Sequence, residues 1–114
     1  VEECIFCKIV KGEIPSEKVY EDDLVLSFKD INPGAPVHVL IVPKKHIESI
    51  NDLDKEDSNI IAHIFMAAKK IAGDLNIAED GYRIVSNTGR YGGQTVPHVH
   101  FHLLGGRSLN WPPG

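Results

Sequence analysis

A chain of 114 residues has enough length for one compact domain and too little for two. With 42% hydrophobic and 25% charged residues it can build a modest core, as an ordinary globular protein does. Its formal net charge of -4 excludes a general DNA- or RNA-coating role, which needs a basic footprint, yet permits one nucleotide held by a few placed groups.

In chain order, Cys4 to Lys11 carries helical apolar spacing at Ile5, Phe6, Ile9 and Val10, with Gly12 as the stop. Two short strands follow, Lys18 to Glu21 and Leu24 to Lys29, split by Asp22-Asp23 as a hairpin turn. Asn32-Pro33-Gly34 is a second turn. Val37 to Val42 is β-branched and ends at Pro43, which has no N–H for a ladder. Asp54 or Asp57 caps a long helix over roughly residues 55–75, whose apolar residues from Ile60 to Leu75 make one broad face. Tyr82 to Ser86 reads as a strand, Asn87 to Gln94 as a loop, and Val96 to Leu104 as a fully alternating strand. The expected class is α+β: a five-stranded antiparallel sheet, one long helix and a short N-terminal helix, in a single domain over 1–114.

No run reaches the ~18 apolar residues of a bilayer span, so no membrane role is expected. The first residues lack a signal-peptide pattern, and the initial valine fits an initiator or longer leader already removed. Two cysteines in Cys4-Ile5-Phe6-Cys7 are too few for a secreted disulfide framework, so a cytoplasmic, reducing location is expected.

The chemistry concentrates in His98-Val99-His100-Phe101-His102-Leu103-Leu104. On a strand the three imidazoles share one face while Val99, Phe101 and Leu103 share the other, which should meet the helix. At about 3.3 Å per residue, His98 and His102 lie roughly 13 Å apart at Cα, too far to share one metal ion comfortably. A division of labour along the strand follows. A metal-free strand with incidental histidines is the bland alternative, and strict alternation counts against it. Neutral imidazole is a nucleophile whose second nitrogen can be oriented by a hydrogen bond, and a neighbouring histidine can manage protons.

With that motif, the chain resembles the histidine triad (HIT) superfamily, and within it the Hint branch of purine nucleoside phosphoramidases. The likeness extends over Ile5-Phe6, Asp30-Ile31, Pro36, His38, Pro43-Lys44-Lys45-His46, Gly92-Gly93-Gln94-Thr95 and the terminal Trp111-Pro112-Pro113-Gly114. The resemblance implies that His100 attacks the α-phosphorus to form a nucleotidyl-histidine intermediate, which water hydrolyses. His102 then contacts the phosphate and assists proton management, and His38 completes the pocket. It implies that Asp30 binds the ribose hydroxyls and that Asn87, Gly93, Gln94 and Thr95 surround the phosphates. Ile5, Phe6, Ile9, Phe28, Ile31 and Leu40 match its purine pocket. It further implies a homodimer with a continuous sheet, whose tail, including Trp111, reaches the partner's active site. The substrate implied is a purine nucleotide of AMP or GMP type, not a nucleic-acid polymer.

Cys4-x-x-Cys7 offers, with His46 and His98, a Cys₂His₂ ligand set. The pair is also open to reading as a redox motif or as two unrelated buried thiols. Microbial relatives that keep the CxxC resemble a zinc-bearing type with these four ligands, while others lack it, so a structural zinc is expected and none is required for catalysis. His63, beside the apolar face of the long helix, is read as structural or dimer-contacting. Three alternatives remain: a dinucleoside polyphosphate hydrolase, a nucleotide-binding regulator or scaffold, and a zinc store or sensor.

Overall fold

The computed structural model describes residues 3–114. Helix α1 spans Ile5–Val10, one residue shorter at each end than its apolar spacing indicates, because Cys4 and Lys11 serve as its caps. Strands β1 (Lys18–Glu21) and β2 (Val25–Lys29) form the expected hairpin. Asp22 holds its turn: its carboxylate accepts from the Leu24 and Val25 amides at 2.8 and 3.0 Å and from the Tyr20 hydroxyl at 2.6 Å. His63 reaches the same carboxylate from the long helix, which gives that histidine a structural role. Burial opposes ionisation of Asp22, but these hydrogen bonds outweigh it and hold the carboxyl far below its ordinary range.

Strand β3 is Val37–Pro43. The long helix starts later than expected: Asp54 opens a 3₁₀ turn at Lys55–Asp57, and α2 proper runs Ser58–Asp74. Asp57 accepts from the Asp54 amide at 3.0 Å and pairs with Lys45 at 2.6 Å, which fixes the entry to the helix. Strand β4 is Tyr82–Val85, and the glycine-rich segment expected as loop winds into a one-turn helix α3, Gly89–Gly92. Gly93 ends that turn in the left-handed conformation, which glycine adopts without steric cost.

The largest departure is β5, which is Phe101–Gly105 rather than Val96 to Leu104. Pro97 and Pro43 have no N–H to continue a ladder between the two segments. The chain before Phe101 therefore leaves the sheet: the His98 amide turns back to the Val96 carbonyl, and the Val99 amide donates to Ile47. Side-chain alternation survives this break, with Val99, Phe101 and Leu103 all buried in one core.

The antiparallel sheet has the order β1-β2-β3-β5-β4. One face carries Val25, Val39, Ile41, Phe101 and Leu103 and packs on Ile64, Ala67, Ala68, Ile71 and Ala72 of α2. The expected helix contact is thus present, with Phe65 and Phe101 edge to face at 5.7 Å. The other face carries Leu26, Phe28, Leu40 and Val42, covered at one end by Phe6, Cys7 and Ile9 of α1. Each fully buried Leu or Ile contributes about 2 kcal/mol of transfer free energy. Because α1 covers only part of this second face, a cavity remains open beside it.

Candidate active site and metal centre

That cavity, about 480 Å³, is walled by Ile5, Phe6 and Ile9 from α1, Phe28 from β2 and Leu40 from β3, with Asp30, Thr95, His100 and His102 also on its lining. Phe6 stands edge to face against both Phe28 (5.6 Å) and His100 (5.1 Å), so one aromatic ring joins the apolar wall to the histidines. Ile31 borders the cavity at 92% exposure, on the rim rather than in the wall. Ser16, Glu17, Lys29 and Asn32 line it too. No spacing or motif in the sequence singles these four out.

Hydrogen bonding assigns each histidine its tautomer. His100 Nδ1 lies 2.7 Å from the His98 carbonyl, so Nδ1 carries the proton and Nε2 presents a lone pair at the cavity. On β3, His38 Nδ1 accepts from the Gly34 amide at 2.8 Å, which places the His38 proton on Nε2. That N–H donates to His102 Nδ1 at 2.9 Å, leaving His102 with Nε2–H toward the cavity. A nucleophilic nitrogen and an N–H donor therefore stand side by side, their rings 5.1 Å apart. Burial above all, then the neighbouring His100 and His38, push His102 down to about 4, with Asp30 opposing, so it is neutral at pH 7.

Asp30 Oδ1 accepts from the Asn32 amide at 2.8 Å, while Oδ2 lies 3.3 Å from His38 Nε2. Asp30, His38 and His102 are close enough together to invite a cation. The Gly34 amide argues against it, because a proton on His38 Nε2 leaves that nitrogen no lone pair to donate.

The remaining sequence candidates fall outside the cavity lining. Gln94 spends its carboxamide on loop closure, donating to the Glu48 and Val96 carbonyls and accepting from the Gly89 amide. The Gly93 and Gln94 amides cap α3, donating to Arg90 and Gly89. Asn87 packs its backbone on Gly92 beneath that turn. Trp111 is 80% exposed, with the Arg83 guanidinium over its ring at 5.9 Å. By sequence Asn32-Pro33-Gly34 is only a turn. Its amide at Gly34 is what sets the His38 tautomer, and no side-chain signal announces a backbone donor.

At the far end of the histidine segment, Cys4, Cys7, His46 and His98 converge and could hold a metal ion. His98 Nε2–H donates to the Pro43 carbonyl at 2.8 Å, which turns the Nδ1 lone pair toward the cysteines. The donor atoms stand 3.2 Å apart for His46 to His98, 3.3 Å for Cys4 to His98, and 3.2 and 3.5 Å from Cys7 to His46 and His98. A tetrahedron with Zn–S of about 2.3 Å and Zn–N of about 2.0 Å has N···N edges near 3.3 Å and S···N edges near 3.5 Å. The donor set fits. Burial, then the Cys4 side chain, push the Cys7 thiol up, opposite to the depressed thiolates of redox-active CxxC pairs.

Comparison with known proteins places the fold in a family. The HIT domain family matches over residues 11–109. The chain is 53% identical over 108 residues to the purine nucleoside phosphoramidase of Escherichia coli K12, covering 95% of this chain and 91% of that protein. It is 51% identical over 113 residues to an uncharacterised HIT-like protein of Synechocystis, covering 99% and 98%. Among solved structures, a HIT family hydrolase of Legionella pneumophila superposes with a TM-score of 0.97 at 54% identity, covering 98% of this chain and 100% of that one.

Proposed function

The chain belongs to the HIT domain family, and from that premise we propose that it hydrolyses the P–N bond of purine nucleoside 5′-phosphoramidates. The observation that carries the reading is the hydrogen bond from His100 Nδ1 to the His98 carbonyl, which aims the other nitrogen into a nucleotide-sized cavity. The Escherichia coli relative bears the name of that activity.

In this reading the purine lies between Ile5, Phe6, Phe28 and Leu40, with Ile31 at its rim, and the ribose hydroxyls donate to Asp30. The His100 Nε2 lone pair attacks the α-phosphorus. A P–Nε2 bond forms, the P–N bond to the amine breaks, and the departing amine takes a proton from water. His102 Nε2–H and the Thr95 hydroxyl donate to the phosphoryl oxygens, where negative charge gathers in the transition state. Water then adds to phosphorus, the P–Nε2 bond breaks, and the proton returned to solvent restores neutral His100. Gln94, Gly93 and Asn87 support this by holding the loop that presents Thr95.

Zinc is the ion we assign to Cys4, Cys7, His46 and His98. When bound it supplies a crosslink between α1 and the two histidine segments, outside the chemical step. We further propose a cytoplasmic homodimer. Strand β4 pairs only with β5 among the described residues, leaving an edge for a second copy, and the exposed Trp111 is available to it.

The test is amine release from adenosine and guanosine phosphoramidates beside a dinucleoside polyphosphate. Wild type should prefer the phosphoramidates, and His100→Ala should lose at least about 1,000-fold in rate while still binding AMP. Unchanged turnover in His100→Ala would end the assignment.

A further inference from the structure

One proton at the site has two claimants. His38 Nε2–H donates to His102 Nδ1 at 2.9 Å, while Asp30 Oδ2 lies 3.3 Å from the same nitrogen, off the line of that hydrogen bond and at ion-pair distance. The Gly34 amide to His38, His38 to His102, and His102 Nε2–H toward the cavity are donors running in one direction. Hydrogen bonds aligned this way polarise one another, so the firmer the gift to His102 Nδ1, the better a donor His102 Nε2–H becomes. The Asp30 carboxylate draws on the same proton from the side. Among the described residues lining the cavity, the one other carboxylate is Glu17, whose charge is paired with Lys29 at 2.6 Å.

We propose that Asp30 couples ribose recognition to the chemical step: sugar hydroxyls that donate to Asp30 Oδ2 occupy the competing acceptor and commit His38 Nε2–H to His102. His38 is in this sense a positioning residue, acting on phosphorus only through His102. The inference rests on the phosphoramidase reading and on a ribose at Asp30, and it adds that the sugar is discriminated in rate as well as in binding. A nucleotide without the diol leaves Asp30 competing for the proton, and its phosphoryl transfer is slower even when the site is saturated.

The experiment compares adenosine 5′-phosphoramidate with its 2′,3′-dideoxy counterpart at saturation, by single-turnover amine release and by KM. In wild type the dideoxy substrate should react about five- to tenfold more slowly, roughly the worth of one hydrogen bond, and also show a raised KM. In Asp30→Asn, which keeps Oδ1 for the Asn32 amide but removes the acceptor facing His38, the two substrates should react at equal rates. In His38→Gln, whose carboxamide keeps an N–H toward His102, most of the wild-type rate on the ribose substrate should return relative to His38→Ala. Equal saturated rates in wild type, with the whole difference in KM, would overturn the coupling while leaving the phosphoramidase reading intact. No turnover of the ribose substrate by wild type would instead overturn the reading beneath it. Should the variants fail to fold, the imidazole N–H resonances of wild type decide: both ligands carry the phosphate that draws on His102, so both shift the His38 Nε2–H proton, and AMP should shift it further than saturating 2′,3′-dideoxy-AMP does. An equal shift with both ligands refutes the proposal.

Discussion

The imidazole of His100 hydrogen-bonds through Nδ1 to the backbone carbonyl of His98, two residues earlier, at 2.7 Å. A contact this local makes the two histidines of one segment complementary. The carbonyl of His98 fixes the tautomer of His100, while the His98 ring turns away to Pro43 and the cysteines. The backbone can do this because the segment has left the sheet, so the His98 carbonyl is free of a ladder partner.

Metal content follows from the donor set. Purified protein should carry about one equivalent of zinc per chain, and Cys4→Ser or Cys7→Ser should drop it to a few tenths. The melting temperature should fall with it, while turnover per folded chain falls far less, since the ligands stand apart from the cavity lining. Elemental analysis paired with thermal melts checks this. A wild-type protein without zinc, both thiols freely titratable, would contradict it.

Phe6 ties fold to site through its contacts with Phe28 and the His100 ring. Phe6→Ala should cost about 3 kcal/mol of stability, as expected for emptying a buried aromatic site. It should also raise KM by more than it lowers kcat, because the purine wall is lost while the His98 carbonyl still orients His100. Urea melts and steady-state kinetics separate the two effects.

Acid should destabilise the protein in a defined window. Burial holds His102 down to about 4 in the folded state, against an ordinary value of 6.5 when unfolded. Between these values the unfolded chain binds a proton that the folded chain refuses, so the stability is fully present above pH 6.5 and declines as pH falls toward 4. His102→Asn should lose less stability than wild type between pH 6.5 and 4, measured by urea melts across that range. Parallel curves would show that His102 contributes nothing there.

Much of this was legible in the sequence because two periodicities carried it. The apolar residues of α2 and the alternation through Val99, Phe101 and Leu103 placed the core, and the same alternation put the three histidines opposite it. The separation of His98 from His102 was also legible as a strand length, although the strand itself is shorter. Pattern could not reveal where β5 begins, because side-chain alternation persists where Pro97 and Pro43 break the backbone ladder. Nor could it reveal the roles of backbone groups: the Gly34 amide and the His98 carbonyl set the tautomers of His38 and His100 with no side-chain signature. Gln94 was recognisable as part of a motif, but its commitment to Glu48 and Val96 depends on contacts across the fold.

The central claim is that a histidine of this cavity attacks phosphorus and is then relieved by water. The stereochemical course at phosphorus tests it most directly, with a P-chiral adenosine phosphorothioamidate hydrolysed in ¹⁸O-labelled water. Two in-line displacements, first by His100 and then by water, predict net retention of configuration. Net inversion would mean a single direct attack by water and would contradict the account.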